Sequence, residues 1–344
     1  MARRNRLWGA VAAAGVGAAG WLLRGQARRF DGRTVFVTGG SRGLGLLLAR
    51  EFARRGANLV ICARDVDELE RARRELVERY GAEVHARRCD VSRRDQVEAL
   101  VQEATARFGR IDVLVNNAGI IQVGPALTMS EEDYRTSLDV ILWGTIHATR
   151  AVVPQMRARG EGRILDVTSI GGVIPVPHLA PYATAKFAAV GFSTAMAAEL
   201  APYGIRVTTA VPGLMRTGSF LHALTKGQQE KEATLFSIGG TLPLITVAPE
   251  RAARKMVDAC ARGQRWLTVG VPFKAARLAW ALAPGASLAV AGKVARLLPG
   301  PAGATTRQRA EPAWKHRTRA ARSFVTRLGD LEARRNNEVP PGYP

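Results

Sequence analysis

Cysteine is scarce in this 344-residue chain, which has only Cys62, Cys89 and Cys260. None forms a C-x-x-C pair and none falls at metal-ligand spacing, so no metal site is expected. An odd, sparse set fits buried thiols in a reducing compartment better than a disulfide framework. Acidic residues are also few, 29 against 50 lysines and arginines, leaving a formal charge of +21. Such an excess raises nucleic acid as a partner. Yet aromatics make up 6% of the chain, no basic stripe is interleaved with them, and no DNA-reading Cys–His motif occurs. The arginines gather at the two ends and on helix faces of the middle. Anionic lipid is therefore the expected counterpart, and nucleic acid is not. Histidine is sparse as well. His178, four residues before Tyr182 in a proline-rich loop, is placed to touch a substrate or to serve the loop, and His147 reads as core or surface.

Apolar residues are plentiful at 47%, enough for one large α/β domain or at most two. Residues 1–30 hold an uncharged run, Leu7 to Leu23, between Arg3, Arg4 and Arg6 on one side and Arg24, Arg28 and Arg29 on the other. Its length is the short end of a bilayer span, its Ala/Gly content makes it weakly hydrophobic, and Trp8 and Trp21 resemble interfacial anchors. It reads as a membrane attachment, with a helix packed on the domain as the alternative. Gly25-Gln26-Ala27 resembles a signal-peptidase site. Export is rejected because the cofactor argued below is cytoplasmic, so a cytoplasmic, membrane-associated protein is expected.

Residues 31–270 alternate strand and helix signals. Strands are expected at 34–38, 58–63, 83–88, 112–116, 163–168, 205–211 and 266–269, with helices at 43–55, 65–80, 93–108, 131–157, 181–201 and 249–262. Alternation of this kind predicts an α/β fold, a doubly wound parallel sheet of Rossmann type in a single domain. Residues 271–298 read as two apolar helices split by Pro284-Gly285, each with a small basic face: Lys274 with Arg277, Lys293 with Arg296. Residues 299–344, rich in Pro, Gly and Arg, read as a disordered basic tail with an amphipathic turn or two around 314–331.

Chemistry enters with Tyr182-Ala-Thr-Ala-Lys186. Four residues apart on a helix, the phenol and the ammonium share a face. A cation there is expected to pull the phenol below its usual pKa and suit it to proton transfer. Earlier in the chain, Gly39, Gly43 and Gly45 follow the first strand and open a helix. Glycines there allow a tight turn and close approach of a pyrophosphate to the helix N-terminus.

Taken together, Thr38-Gly39-x-x-x-Gly43-x-Gly45, Asp90-Val91, Asn116-Asn117-Ala118-Gly119, Ser169, Tyr182-x-x-x-Lys186 and Pro212-Gly213 resemble the short-chain dehydrogenase/reductase family over about residues 33 to 270. The resemblance implies that Tyr182 is the general acid or base, that Lys186 tunes it and holds the nicotinamide ribose, and that Ser169 bonds the substrate oxygen. Asp90 and Val91 would lie at the adenine, and Asn116, Asn117, Ala118 and Gly119 would shape the cofactor cleft. Thr38, Ser41 and Leu44 belong to the phosphate turn, Pro212 and Gly213 close the nicotinamide side, and Thr217 would hold the carboxamide. It also implies a homo-oligomer paired through the helices bearing Ile141 and Tyr182.

Charge selects the cofactor. An enzyme choosing NAD commonly ends its second strand with a carboxylate; here the strand ends Ile61-Cys62-Ala63-Arg64, and Arg42 lies in the glycine turn. Two arginines suit a 2′-phosphate, so NADP(H) is expected. Asp65 and Asp67 fall at a helix start, where acids stabilise the dipole. One position departs from the family pattern: Ile141 stands where an asparagine usually helps hold a proton-relay water. The lid region Leu214 to Val247 is apolar, with Met215, Phe220, Leu221 and Phe236 among its residues. The expected activity is interconversion of a carbonyl and an alcohol on an apolar, lipid- or steroid-like substrate. An NADP(H)-binding sensor with weak catalysis is the alternative that Ile141 favours.

Overall fold

A computed structural model describes residues 30–242, 246–318, 326–340 and 342–343. The apolar run Leu7 to Leu23 lies outside the described residues. Among the described residues, no helix is long and apolar enough to cross a membrane.

Seven parallel strands form the sheet: β1 (Thr34–Thr38), β2 (Asn58–Ala63), β3 (Val84–Arg88), β4 (Val113–Asn116), β6 (Gly162–Val167), β7 (Ile205–Pro212) and β9 (Trp266–Val269). Their order is β3-β2-β1-β4-β6-β7-β9, reversing direction of growth at β1 and β4. Register pairs Val35 with Leu59 on one side and with Val113 on the other. Both faces of the sheet are covered, which is why its central strands read as apolar runs, whereas the edge strand β3, Val-His-Ala-Arg-Arg, leaves Arg87 and Arg88 exposed. Val35 and Val37 point into one core with Phe52, Ile61 and Met256, while Phe36 points into the other with Val60, Leu114 and Met156. Period-two alternation thus serves two cores.

Helices α1 (Gly43–Ala53), α2 (Val66–Tyr80) and α9 (Pro249–Arg262) cover the first face. α3 (Arg94–Phe108) and α5 (Gly144–Arg159) cover the second. Asp65 caps α2, its carboxylate accepting the Glu68 N–H at 2.8 Å. The single helix expected over 131–157 is broken: α4 (Glu131–Leu138) passes through a π-helical turn, Asp139–Trp143, into α5. An extra residue in one turn re-aims the side chains after it, as such turns often do near sites.

A second sheet of three short strands, β10 (Glu311–Pro312), β8 (Leu224–Thr225) and β5 (Gln122–Val123), lies over the strand ends. Between and after them run α6 (Ala180–Glu199), α7 (Ser219–His222), α8 (Gln229–Thr241), α10 (Val271–Leu282), α11 (Pro284–Ala295) and α12 (Arg327–Arg335).

The chain after Pro299 corrects the expectation of a disordered tail. Strand β10 pairs with β8, and the Ala313 N–H donates to Ala223 O at 2.8 Å. Ala333 packs with Phe220 and Leu221, and Arg317 is buried against Asp330 at 2.7 Å. Low hydropathy suggested solvation, but the segment is anchored by polar groups the domain leaves open. Arg50 of α1 donates to Asn336 Oδ1 at 2.7 Å and to Arg335 O at 2.9 Å.

Candidate active site

The nucleotide turn is built by close backbone approach. A Cβ on Gly45 would lie 1.9 Å from Gly39 O, and Gly39 and Gly43 sit at φ +65° and +54°. Only glycine fits the first and is at ease at the others. Thr38 stands behind the turn. Its hydroxyl accepts the N–H groups of Asn117 (2.9 Å) and Ala118 (3.1 Å), and the Asn117 amide donates to Thr38 O and Gly39 O. These bonds lock the end of β4 to the end of β1. Asn116 turns inward instead, donating to Asp166 Oδ1 at 2.8 Å and Thr149 Oγ1 at 3.1 Å.

Along this turn lies a cavity of about 540 Å³ lined by Gly39, Ser41, Arg42, Gly43, Leu44, Gly45, Arg64, Asp90, Val91, Asn117, Ala118 and Gly119. Arg64 is exposed at its edge. Arg42 is engaged: its guanidinium lies 2.8 Å from Glu68 and 3.0 Å from the His222 ring. Asp65 is the cap of α2 and also lines the cavity. Cys62 and Cys89, which show no pairing in the sequence, both line it; the neighbouring Cys89 thiol and burial push Cys62 up.

A second cavity, about 370 Å³, adjoins it. Ser169, Tyr182, Lys186, Pro212, Gly213 and Thr217 line it together with the apolar Ile174, Leu179, Leu214, Met215, Phe220, Phe236 and Phe273. Ser169 follows β6 and caps a short turn, its Oγ accepting the Gly171 N–H at 3.1 Å. The Thr217 hydroxyl donates to Ser219 Oγ at 2.8 Å. Gly213 is a glycine because the Phe273 ring presses on it; a Cβ there would lie 1.8 Å from the ring.

Tyr182 and Lys186 share one face of α6, but the ammonium is not seated on the hydroxyl. Lys186 Nζ donates to Val167 O at 2.9 Å and stands 5.9 Å from the phenol ring centroid. Burial holds the Tyr182 phenol above its ordinary value, opposed by the Ser169 hydrogen bond. This corrects the expectation of a phenol pulled down by its lysine: i,i+4 spacing fixes a common face, not the rotamer. Burial brings Lys186 down to about 8 against the charge of Asp166, itself buried and pushed up by desolvation. Ile141 is fully buried on the π turn with Ala185, Ala189 and Tyr182 around it. His178 does not line the cavity; it bonds Glu232 of α8 at 2.8 Å and so ties the lid to the loop before α6.

Three contributors were not read from the sequence: Glu338, His222 and Asp166. Glu338 lines both cavities, and its carboxylate accepts the Gly218 N–H at 2.6 Å. Nothing local marks it, since the Gly218 N–H that its carboxylate accepts lies 120 residues away and His222 116. Asp166, an acid inside an apolar strand, was the one visible signal.

A family model described as short chain dehydrogenase matches residues 33–227. Oxidoreductase UcpA of Salmonella typhimurium is 38% identical over 64% of this chain and 84% of its own length. A dehydrogenase/reductase SDR family protein 7-like of Anopheles gambiae is 35% identical, over 70% and 75% respectively. Among solved structures, L-sorbose reductase from Gluconobacter frateurii, complexed with NADPH and L-sorbose, superposes with a TM-score of 0.63 at 30% identity, covering 70% of this chain and 96% of that one. Levodione reductase gives 0.62 at 28% identity, covering 72% and 99%.

Proposed function

The chain belongs to the short-chain dehydrogenase/reductase family, and we propose that, as an NADP(H)-dependent oxidoreductase of carbonyl and alcohol groups, it acts on an apolar, lipid- or steroid-like substrate. The observation that carries this reading is the second cavity, which Ser169 and Tyr182 line together with mostly aliphatic and aromatic side chains.

The residues present fit the dinucleotide: the crowded glycine turn has no room for side chains, and two cavities, one reaching Arg64 and the other Tyr182, share a wall that includes Leu44, Asn117 and Gly119. Gly39, Gly43, Leu44 and Gly45 would hold the phosphates, Asp90 and Val91 the adenine, Asn117, Ala118 and Gly119 the cleft wall, and Thr217 with Pro212 and Gly213 the nicotinamide end. Arg64 and Arg42 would take the 2′-phosphate, with Arg42 shared by Glu68. When bound, the cofactor supplies or accepts the hydride. Ser169 would orient the substrate oxygen, and Tyr182, whose phenol burial holds above its ordinary value, would deliver a proton to it during reduction. Lys186, near its own midpoint at about pH 8, would restore that proton.

Incubating the protein with NADPH and a panel of ketones, and following nicotinamide absorbance, tests the substrate class. Turnover confined to small charged carbonyls would end the apolar reading. Arg64→Asp is expected to move selectivity toward NADH. The sensor reading draws on Ile141, an apolar side chain buried beside Ala185 and Tyr182; tight NADPH binding without turnover on any ketone would favour it.

Two partners follow. Helices α10 and α11 bury no residue, carry Lys274, Arg277, Lys293 and Arg296 without an acid, and send Phe273 into the substrate cavity. An apolar cationic surface beside the cavity suits an anionic membrane holding the substrate. Exposed Trp143 and Phe187, on the π turn and α6, suit pairing with a second copy, which light scattering would detect as a dimer or tetramer.

A further inference from the structure

The C-terminal segment crosses the cofactor cleft where its two cavities meet. Leu44, Asn117, Gly119, Ser219 and Glu338 belong to the wall they share. A dinucleotide spanning both must lay its pyrophosphate along that wall, at the N-terminus of α1, where amide groups and the helix dipole favour an anion. The chain has already put an acidic side chain there. Glu338 accepts the Gly218 N–H at 2.6 Å and crowds Gly43, where a Cβ would lie 2.7 Å from Oε1. The Gly43 N–H, a donor the turn would offer to phosphate, is spent on Asn336 O at 2.9 Å.

The segment is fastened on both sides. The Asn337 amide donates to Ser41 O and Glu68 O, each at 2.9 Å, and Arg71 bonds Asn337 Oδ1 at 2.8 Å. His222 Nε2 meets Glu338 O at 2.7 Å. Asn337 itself is held at φ 58°, in the left-handed region.

We propose that residues 335–339 form a strap lying in the place of the cofactor's pyrophosphate, and that NADP(H) enters only by displacing Glu338. The inference rests on the dinucleotide reading above. It makes the tail a determinant of cofactor affinity. A pyrophosphate cannot enter the cradle while the strap is docked, because Asn336 O holds the Gly43 N–H and the Glu338 side chain fills the space against Gly43. Contacts that fasten the strap therefore weaken cofactor binding.

Proton linkage gives a second handle. Burial pushes Glu338 up to about 8, with Arg42 opposing and Glu68 and Glu332 adding to the rise. His222 also lies against the strap, pushed down to about 4 by burial and Arg42, as do Glu68 and Glu332, the latter raised by burial and the neighbouring Glu250. A carboxyl raised in the docked state docks best when protonated, so docking weakens as pH climbs toward 8. His222 acts with the opposite sign, but only below its ordinary value of 6.5. Between pH 6.5 and 8 Glu338 alone is expected to govern.

The test is fluorescence titration of the full chain with NADPH, alongside amide hydrogen exchange over residues 326–340. Glu338→Ala removes the competing acid, and Asn337→Ala loosens the strap without touching it. Both are expected to bind NADPH on the order of tenfold tighter than wild type at pH 7, and NADPH is expected to speed exchange in the wild-type segment. Wild-type affinity is expected to rise roughly tenfold from pH 6.5 to 8 relative to Glu338→Gln, which keeps a neutral acceptor for Gly218. Weaker binding in both alanine variants, or slower exchange with NADPH, would show a roof that holds the cofactor and overturn the proposal. Failure of NADPH to bind any of the four proteins would instead sink the cofactor reading, and this inference with it.

Discussion

The helical pair α10–α11 and the strap after α12 are both additions to one sheet domain, and they exchange the places that hydropathy would assign them. The helical pair leaves Val271, Leu278 and Leu282 at 79, 58 and 76% exposure, whereas the strap buries Asn336 and Glu338 to 0 and 3%. Burial here follows the partners available at the destination. The strap reaches a turn whose backbone amides and carbonyls are unfilled by the sheet, so each polar group gains a bond to offset its desolvation. The helical pair finds only its own outer face, beyond the Phe273 ring that fills the space over Gly213.

That contrast can be broken at several points. The largest effect expected is on the chemistry between the two regions. Tyr182→Phe is expected to lower kcat/KM by about 10²–10⁴-fold, leaving vesicle binding and exchange over 326–340 unchanged; a shift in either would mean the coverings are not independent of the site. Next, replacing Lys274, Arg277, Lys293 and Arg296 together by alanine is expected to weaken pelleting with anionic vesicles by several hundredfold, since each basic residue near such a surface contributes about 1 kcal/mol. NADPH affinity should stay put, and equal pelleting by the variant would remove the membrane assignment.

A smaller effect is expected from Arg50→Ala, which deletes the bonds to Asn336 and Arg335 O together with the 2.7 Å pair with Glu75. Loss of about 1.5–3 kcal/mol of local stability, read as faster exchange in the strap alone, would sharpen the comparison. The smallest is a pH effect. His222 is depressed to about 4 from an ordinary 6.5, so the unfolded state binds the proton more readily. Stability is then lost as pH falls from 6.5 through 4, by roughly 1–2 kcal/mol, and His222→Asn should flatten that part of a thermal-unfolding profile.

What could be read in advance divides along similar lines. The central strands of the main sheet are short apolar runs because both of their faces are covered, so their type is plain from local pattern. The glycine turn, Asn117 and the Tyr182–Lys186 pair were legible for the same reason: each function lives within a few residues. Glu338 and His222 were not, because their meaning depends on contacts made across more than 100 residues. The π turn at Asp139–Trp143 was hidden inside a region of unbroken helical pattern. Rotamer choice also escaped the pattern: Lys186 prefers the Val167 carbonyl to the phenol one turn before it.

Phe273 belongs to the outward helical pair and yet fills the space that a side chain at position 213 would need. Neither piece can be traded alone: an alanine at 213 would evict the ring, and a transplanted hairpin with a different residue at 273 would reopen the hollow. The contour of the second cavity is therefore set jointly by a glycine at the end of a sheet strand and a ring carried in from the added helices.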